Sequence, residues 1–276
     1  MFYKLIDRIS KHILNYNLSV EIINEGDSSN RRIINSIINE FFSRNQRKLI
    51  TNKNFKIIIP RDFNATYYYY SNSSIKEFID KNGYSEYLAL LILPSDTNSK
   101  EFTLIIRNDI MSIKNELYKT LFHEFTHIID YTNFFNHKGN LYISDINTKI
   151  DNYYFEFYLW TEFHAKKVGL KRYKKCGGTT NLVEKADDFE RSINQTTTEL
   201  GLYYSLMHFL ARISVFKHFG LSSNEFPVKH LSLFLEIDVL KLYKKLNKIE
   251  TYKDFNNEKK LLRELLCLKD QENYLC

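Results

Sequence analysis

The sequence predicts an α+β fold in which a small mixed sheet is combined with long helices and a mostly helical C-terminal part. Glycine and proline are scarce, at 8 and 3 of 276 residues, which favours long helices over tight turns. Short apolar runs that are typical of buried strands lie before residue 110. Hydrophobic residues make up 43% of the chain and charged residues 26%, a balance typical of a globular protein.

Three elements are predicted in the first 83 residues. The first 45 residues are predicted to be helical, because apolar residues such as Ile34, Ile37 and Phe41 recur at helical spacing. A buried strand that stops at proline is predicted at Asn54–Pro60. A short helix that ends at glycine is predicted at Ser73–Gly83.

Two β-rich runs, Tyr87–Leu93 and Phe102–Arg107, are separated by a polar loop and predict a hairpin. If the second run is a sheet edge, an extended peptide could pair with it as an added strand. Helices are then predicted at about 112–131 and 151–167, followed by a loop at 174–181. The remainder, 187–276, is predicted to be mostly helical, with Gly220 ending one long helix.

The predicted helix at about 112–131 carries the pattern HEFTH, with His123, Glu124 and His127. Residues four apart lie one above the other on a helix, so both histidines can bind one ion. Glu124 lies beside them, where it can hold the water that completes the coordination of the metal. By chance, this pattern arises in such a chain with odds on the order of one in a hundred. The alternative is a surface helix with two solvated histidines.

A zinc site needs a third protein ligand. The long pattern HExxHxxGxxH is excluded, because Asp130 and Asn133 stand where it requires glycine and histidine. The best candidate is Glu162, whose neighbours at helical spacing are apolar, because a carboxylate on such a face is costly to bury unless a cation pairs with it. The alternative places Glu162 at a rim, paired with a lysine such as Lys166.

Three further side chains are candidates for supporting roles. Glu156 and His164 are reserve ligands in more polar surroundings. Asp130, one turn after His127, could orient the imidazole of His127, or could be only a charge near a helix end.

HEFTH followed by a helix that carries "TEFHA" resembles the gluzincin class of zinc metallopeptidases, and the E-x-x-A pattern at Glu162 and Ala165 is similar to the ImmA/IrrE-like branch. The resemblance covers about residues 85–175. It implies that His123, His127 and Glu162 bind Zn²⁺ and that Glu124 is the catalytic base. We therefore expect one zincin-like domain over 1–276, with a catalytic core at about 85–175 and a helical C-terminal subdomain at about 185–276.

The resulting hypothesis is zinc-dependent hydrolysis of peptide bonds in an intracellular protein or peptide substrate. By resemblance, that substrate could be a regulatory protein such as a repressor. Tyr203, Tyr204 and His208 are potential donors to the oxyanion, although core packing is the favoured interpretation for each. The alternatives are a non-catalytic binding protein of a phage or mobile element that retains a zincin scaffold, and a helical interaction protein without metal.

Composition favours a cytoplasmic protein without a membrane partner. Three widely separated cysteines form no disulfide framework, no long uncharged apolar run occurs, and the first 20 residues lack the pattern of a signal peptide. A net charge of +6 is mild for this length and makes a nucleic-acid partner unlikely. The basic run at 165–175 is interpreted as a solvated helix end, where cations suit the helix dipole, rather than as a dock for an acidic partner.

Overall fold

The computed structural model describes most of the chain, namely residues 20–25, 29–50, 54–71, 73–82, 87–94, 101–179, 188–191, 194, 198–220 and 237–266. The chain divides into two compact units, Met1–Thr132 and Asn133–Cys276. The predicted combination of a small mixed sheet with many helices is confirmed. None of the helices in these ranges has both the length and the apolar character that a membrane crossing requires.

The first unit contains a four-stranded sheet with the strand order β1-β2-β4-β3. The strands are β1 (Val20–Asn24), β2 (Asn54–Ile59), β3 (Ala89–Ile92) and β4 (Glu101–Ile106). β2 pairs in parallel with both β1 and β4, and β3 pairs antiparallel with β4. The predicted strand at 54–60 and the predicted pairing of the two β-rich runs are confirmed.

Strand β4 lies inside the sheet, so the hypothesis that residues 102–107 form a peptide-binding edge is wrong. Thr103 pairs with Lys56 of β2 on one side and with Ile92 of β3 on the other. Phe102–Ile106 are all buried, as expected for a strand covered on both faces. The continuous apolar run indicated burial correctly, but it contains no information about which strands lie beside it.

The helices of the first unit begin with α1 (Ser29–Phe41), α2 (Arg44–Ile50), α3 (Phe63–Tyr70) and α4 (Ser73–Asn82). Ile34, Ile37 and Ile38 of α1 are buried, in agreement with the helical spacing. The prediction of helix throughout the first 45 residues is wrong at Val20–Asn24, where apolar residues form β1, and residues 1–19 lie outside the described ranges. The helix predicted at Ser73–Gly83 is confirmed up to Asn82.

Helix α5 (Lys114–Lys138) carries the HEFTH pattern and crosses the division between the units. It extends seven residues beyond the predicted end. Phe125, near its middle, is fully buried among the rings of Phe41, Phe42 and Phe55, with ring centroids 5.1 to 5.7 Å away. These contacts attach the apolar side of α5 to α1 and β2.

The second unit is helical, as the sequence predicts for most of this region. Its helices after α5 are α6 (Ile146–Asp151), α7 (Tyr154–Lys175), α8 (Glu199–His218), α9 (Val239–Leu246) and α10 (Tyr252–Leu266). Phe134, near the end of α5, stacks on Phe157 of α7 with centroids 4.1 Å apart, and Trp160 stacks on Phe255 at 5.1 Å. Gly220 follows α8 with φ +67, the left-handed conformation that ends many helices.

The start of α7 is held by an arginine from α10. Tyr153, directly before α7, has φ 62, which is strained for a non-glycine residue. Arg263 lies over the Tyr153 ring at 3.9 Å and donates hydrogen bonds to the Ile150 carbonyl oxygen and to Glu156, both at 2.5 Å. These contacts stabilise the turn that begins the helix carrying Glu162.

Candidate metal centre

The HEFTH segment has the amphipathic character that the sequence predicts, but its polar side is largely buried. Leu121, Phe125 and Ile128 are buried on the apolar side. On the other side, His127 is 5% exposed and Asp130 is 2% exposed. The alternative of a surface helix with two solvated histidines therefore fails, because one histidine and the acidic residue after it are removed from solvent.

The two histidines face each other through the same ring nitrogen. The Nε2 atoms of His123 and His127 are 3.1 Å apart. Two nitrogens bound to one tetrahedral zinc ion at about 2.05 Å lie about 3.3 Å apart. Two Nε2 atoms at 3.1 Å can share either a proton or a cation, and this spacing fits a shared cation with little side-chain movement.

Glu162 completes a group of three potential metal ligands. Among the described residues, His123, His127 and Glu162 each offer a ligand atom, and these atoms lie within 4.8 Å of one another. Closure around a tetrahedral ion requires the carboxylate oxygen and the imidazole nitrogens to approach one another, because the ideal separation between ligand atoms is about 3.3 Å. One carboxylate oxygen and two imidazole nitrogens are a donor set that zinc accepts while keeping an open position.

The packing around Glu162 agrees with its sequence context. Its neighbours Phe155, Leu159 and Ala165 are buried, and Glu162 itself is 9% exposed. The carboxylate therefore does not lie at a solvent-exposed rim. Its Oε2 atom is 3.0 Å from Nε2 of His208, on helix α8.

Glu124 lies next to His123. Its Oε1 atom is 4.0 Å from Nε2 of His123, and the residue is buried. That distance is too long for a hydrogen bond between these two atoms, but it keeps the carboxylate beside the proposed ligands.

The reserve ligands have other roles in the structure. Glu156 is 1% exposed and forms a salt bridge with Arg263. The ring of His164 stacks on Trp160 with centroids 5.2 Å apart. Neither belongs to the group that could bind a metal ion. The salt bridge of Glu156 joins residues 107 positions apart, so no local pattern could indicate it.

The residues that the sequence suggested for supporting roles have different surroundings in the structure. Tyr203 is buried, and its hydroxyl donates to the Leu266 carbonyl oxygen, which is the core role that the sequence favours. Tyr204 packs against His208, with centroids 4.2 Å apart. Asp130 lies one turn after His127 and is buried, and its role in orienting the imidazole of His127 stays a prediction.

The contact between His208 and Glu162 was not predicted from the sequence. The available signal was a histidine within the apolar segment of α8, at a spacing of four from Tyr204. Such a residue is usually part of the core, and only the packing of α8 on α7 reveals its carboxylate partner.

Comparison with known proteins adds no assignment. No protein-family model, no curated protein and no solved structure matches this chain.

Proposed function

We propose that the chain is a zinc-dependent metallopeptidase that hydrolyses peptide bonds of an intracellular protein substrate. We further propose that it has a gluzincin-type zincin core of the ImmA/IrrE-like kind. The observation that supports this most directly is the convergence of His123, His127 and Glu162, with ligand atoms within 4.8 Å. The buried Glu124 beside them supports catalysis rather than metal storage alone.

The proposed roles follow from the chemistry of each side chain. His123 and His127 would hold the cation through Nε2, and Glu162 would hold it through a carboxylate oxygen. When bound, a divalent cation lowers the pKa of a coordinated water and polarises a carbonyl oxygen.

Glu124 acts as the general base. Its carboxylate accepts a proton from the attacking water and later delivers that proton to the leaving amine. The Oε1 atom lies 4.0 Å from Nε2 of His123, close enough for a water molecule bound beside His123 to contact the carboxylate as well. Its burial favours proton transfer, since bulk water does not compete freely for the carboxylate.

The first test combines metal analysis with a peptidase assay on the full-length chain. The wild-type protein should contain about one zinc per chain. Glu162→Ala should reduce the metal content. Glu124→Gln should keep the metal and lose at least about 100-fold in cleavage of a quenched fluorescent peptide library, because the base is removed but the ligands remain.

Glu116→Gln is the matched control, since Glu116 lies on the same helix and pairs with Lys119 outside the group of ligands. It should change neither metal content nor cleavage. Unchanged cleavage by Glu124→Gln would contradict the mechanism. Metal binding by the wild type without cleavage of any library member would favour the non-catalytic binding protein. If the wild-type protein binds no metal, both the peptidase and the non-catalytic metal-binding protein are contradicted.

A further inference from the structure

Helices α7 and α8 meet through two pairs of side chains, each with a spacing of four. Tyr158 and Glu162 lie on α7, and Tyr204 and His208 lie on α8. The rings of Tyr158 and Tyr204 are nearly parallel, with centroids 6.3 Å apart, and the Tyr204 ring lies 4.2 Å from the His208 ring. His208 then reaches Glu162 through the 3.0 Å contact between Nε2 and Oε2.

We propose that His208 is a positioning residue that holds the Glu162 carboxylate in the orientation required for metal binding. This inference rests on the proposed metal site. An ionised carboxylate only accepts hydrogen bonds, so Nε2 of His208 carries the proton and donates it to Oε2. The other oxygen, Oε1, is then left to bind the cation.

The geometry assigns His208 to positioning rather than to metal ligation. The three groups that lie within 4.8 Å of one another are those of His123, His127 and Glu162, and His208 is not one of them. Its Nε2 atom is directed at one of the proposed ligands instead. Outer partners of this kind orient ligands, and their loss typically weakens metal binding 10- to 100-fold.

Two features make the orientation of Glu162 depend on this contact. Glutamate has three rotatable side-chain bonds, so its carboxylate needs a partner to stay in one rotamer. The side chains of Glu162 and His208 are only 11% and 15% exposed, so solvent competes weakly with their hydrogen bond. The Tyr204 ring, packed between Tyr158 and His208, restrains the imidazole in turn.

The test measures zinc affinity of the metal-free, full-length protein in competition with a chromophoric chelator. His208→Leu should bind Zn²⁺ 10- to 100-fold more weakly, because Oε2 loses its donor. His208→Gln should stay within about threefold of wild type, because the side-chain amide nitrogen of glutamine can donate from a position close to that of Nε2. His218→Leu, at the exposed end of the same helix, is the matched control and should have no effect.

The outcomes separate this inference from the metal site itself. Wild-type affinity in His208→Leu would overturn the positioning role and leave the metal site intact. Equal losses in the Leu and Gln variants would also overturn it, since they would indicate ring packing rather than the hydrogen bond. No zinc binding by the wild type would remove both proposals. If the Leu variant does not fold, His208→Asn replaces it, because its shorter amide stops short of Oε2.

Discussion

Two glutamates on helix α7 allow one chemical change to be compared in two different settings. Glu156 and Glu162 are six residues apart on the same helix and are 1% and 9% exposed. The substitutions Glu156→Gln and Glu162→Gln each remove one negative charge while keeping nearly the same shape. We expect the first to lower stability without changing zinc affinity, and the second to lower zinc affinity.

The cost of Glu156→Gln follows from its salt bridge. Removing one partner of a fully buried ion pair costs about 3–5 kcal/mol. The charge left behind is that of Arg263, whose side chain is 30% exposed and therefore partly solvated. Glutamine also retains an oxygen that can accept from Arg263. We therefore expect a loss of about 2–3 kcal/mol, or a decrease of about 4–12 °C in Tm.

We expect Glu162→Gln to act on metal binding instead. A neutral amide oxygen is a weaker ligand for zinc than a carboxylate, and the charge that attracts the cation is lost. Loss of a residue that only hydrogen-bonds to a metal ligand typically weakens metal binding 10- to 100-fold, and loss of a ligand should weaken it more. We therefore expect Glu162→Gln to decrease zinc affinity at least 100-fold, or about 2.7 kcal/mol.

The assay pairs thermal unfolding of the metal-free proteins with zinc titration of both variants. A loss of zinc affinity in Glu156→Gln comparable to that in Glu162→Gln would refute the separation of the two carboxylates. Unchanged zinc affinity in Glu162→Gln would remove the third ligand from the site. A stable Glu156→Gln protein would show that the contact with Arg263 contributes little.

Three more predictions address the fold and the site. Zinc at 100 times its Kd should raise the free energy of unfolding by about 2.7 kcal/mol in the wild type, measured by thermal unfolding, and by much less in Glu162→Ala. Burial raises the pKa of Tyr252 to about 12, so its contribution to stability is present below pH 10 and is lost as the pH rises through 12. Tyr252→Phe should flatten this part of the stability profile measured by urea unfolding; an unchanged slope would contradict the assignment. A Cβ at Gly178 would lie 2.3 Å from the Tyr173 ring, so Gly178→Ala should cost about 1–3 kcal/mol in thermal unfolding, whereas a neutral substitution would show that the ring moves freely.

The sequence predicted individual helices and strands better than it predicted which elements pack against each other. The apolar periodicity around His123 and His127 indicated a helix and its buried side, because that information is contained within a few turns. The continuous apolar run at 102–107 indicated a buried strand in the same way. The strand at Val20–Asn24 was missed, because its few apolar residues can be taken as part of the helical pattern that follows in the sequence.

Contacts between distant residues were beyond local patterns. The position of β4 between β2 and β3 depends on the order of strands, which the hydrophobic pattern of one strand does not contain. Glu162 could be selected over Glu156 from the apolar neighbours on its own helix. The partners that distinguish the two glutamates, His208 and Arg263, come from helices that are far away in the sequence.

The charges of the candidate centre determine which kind of ligand it can accept. Glu124, Asp130 and Glu162 are carboxylic residues with little exposure to solvent, and two of them adjoin imidazoles that are neutral when they bind a metal. Burying carboxylates close together costs free energy, and a nearby cation reduces that cost. A dication would offset two of these charges, whereas a phosphate or another anion would add to them. The carboxylates around the candidate centre therefore favour a divalent cation over an anionic ligand.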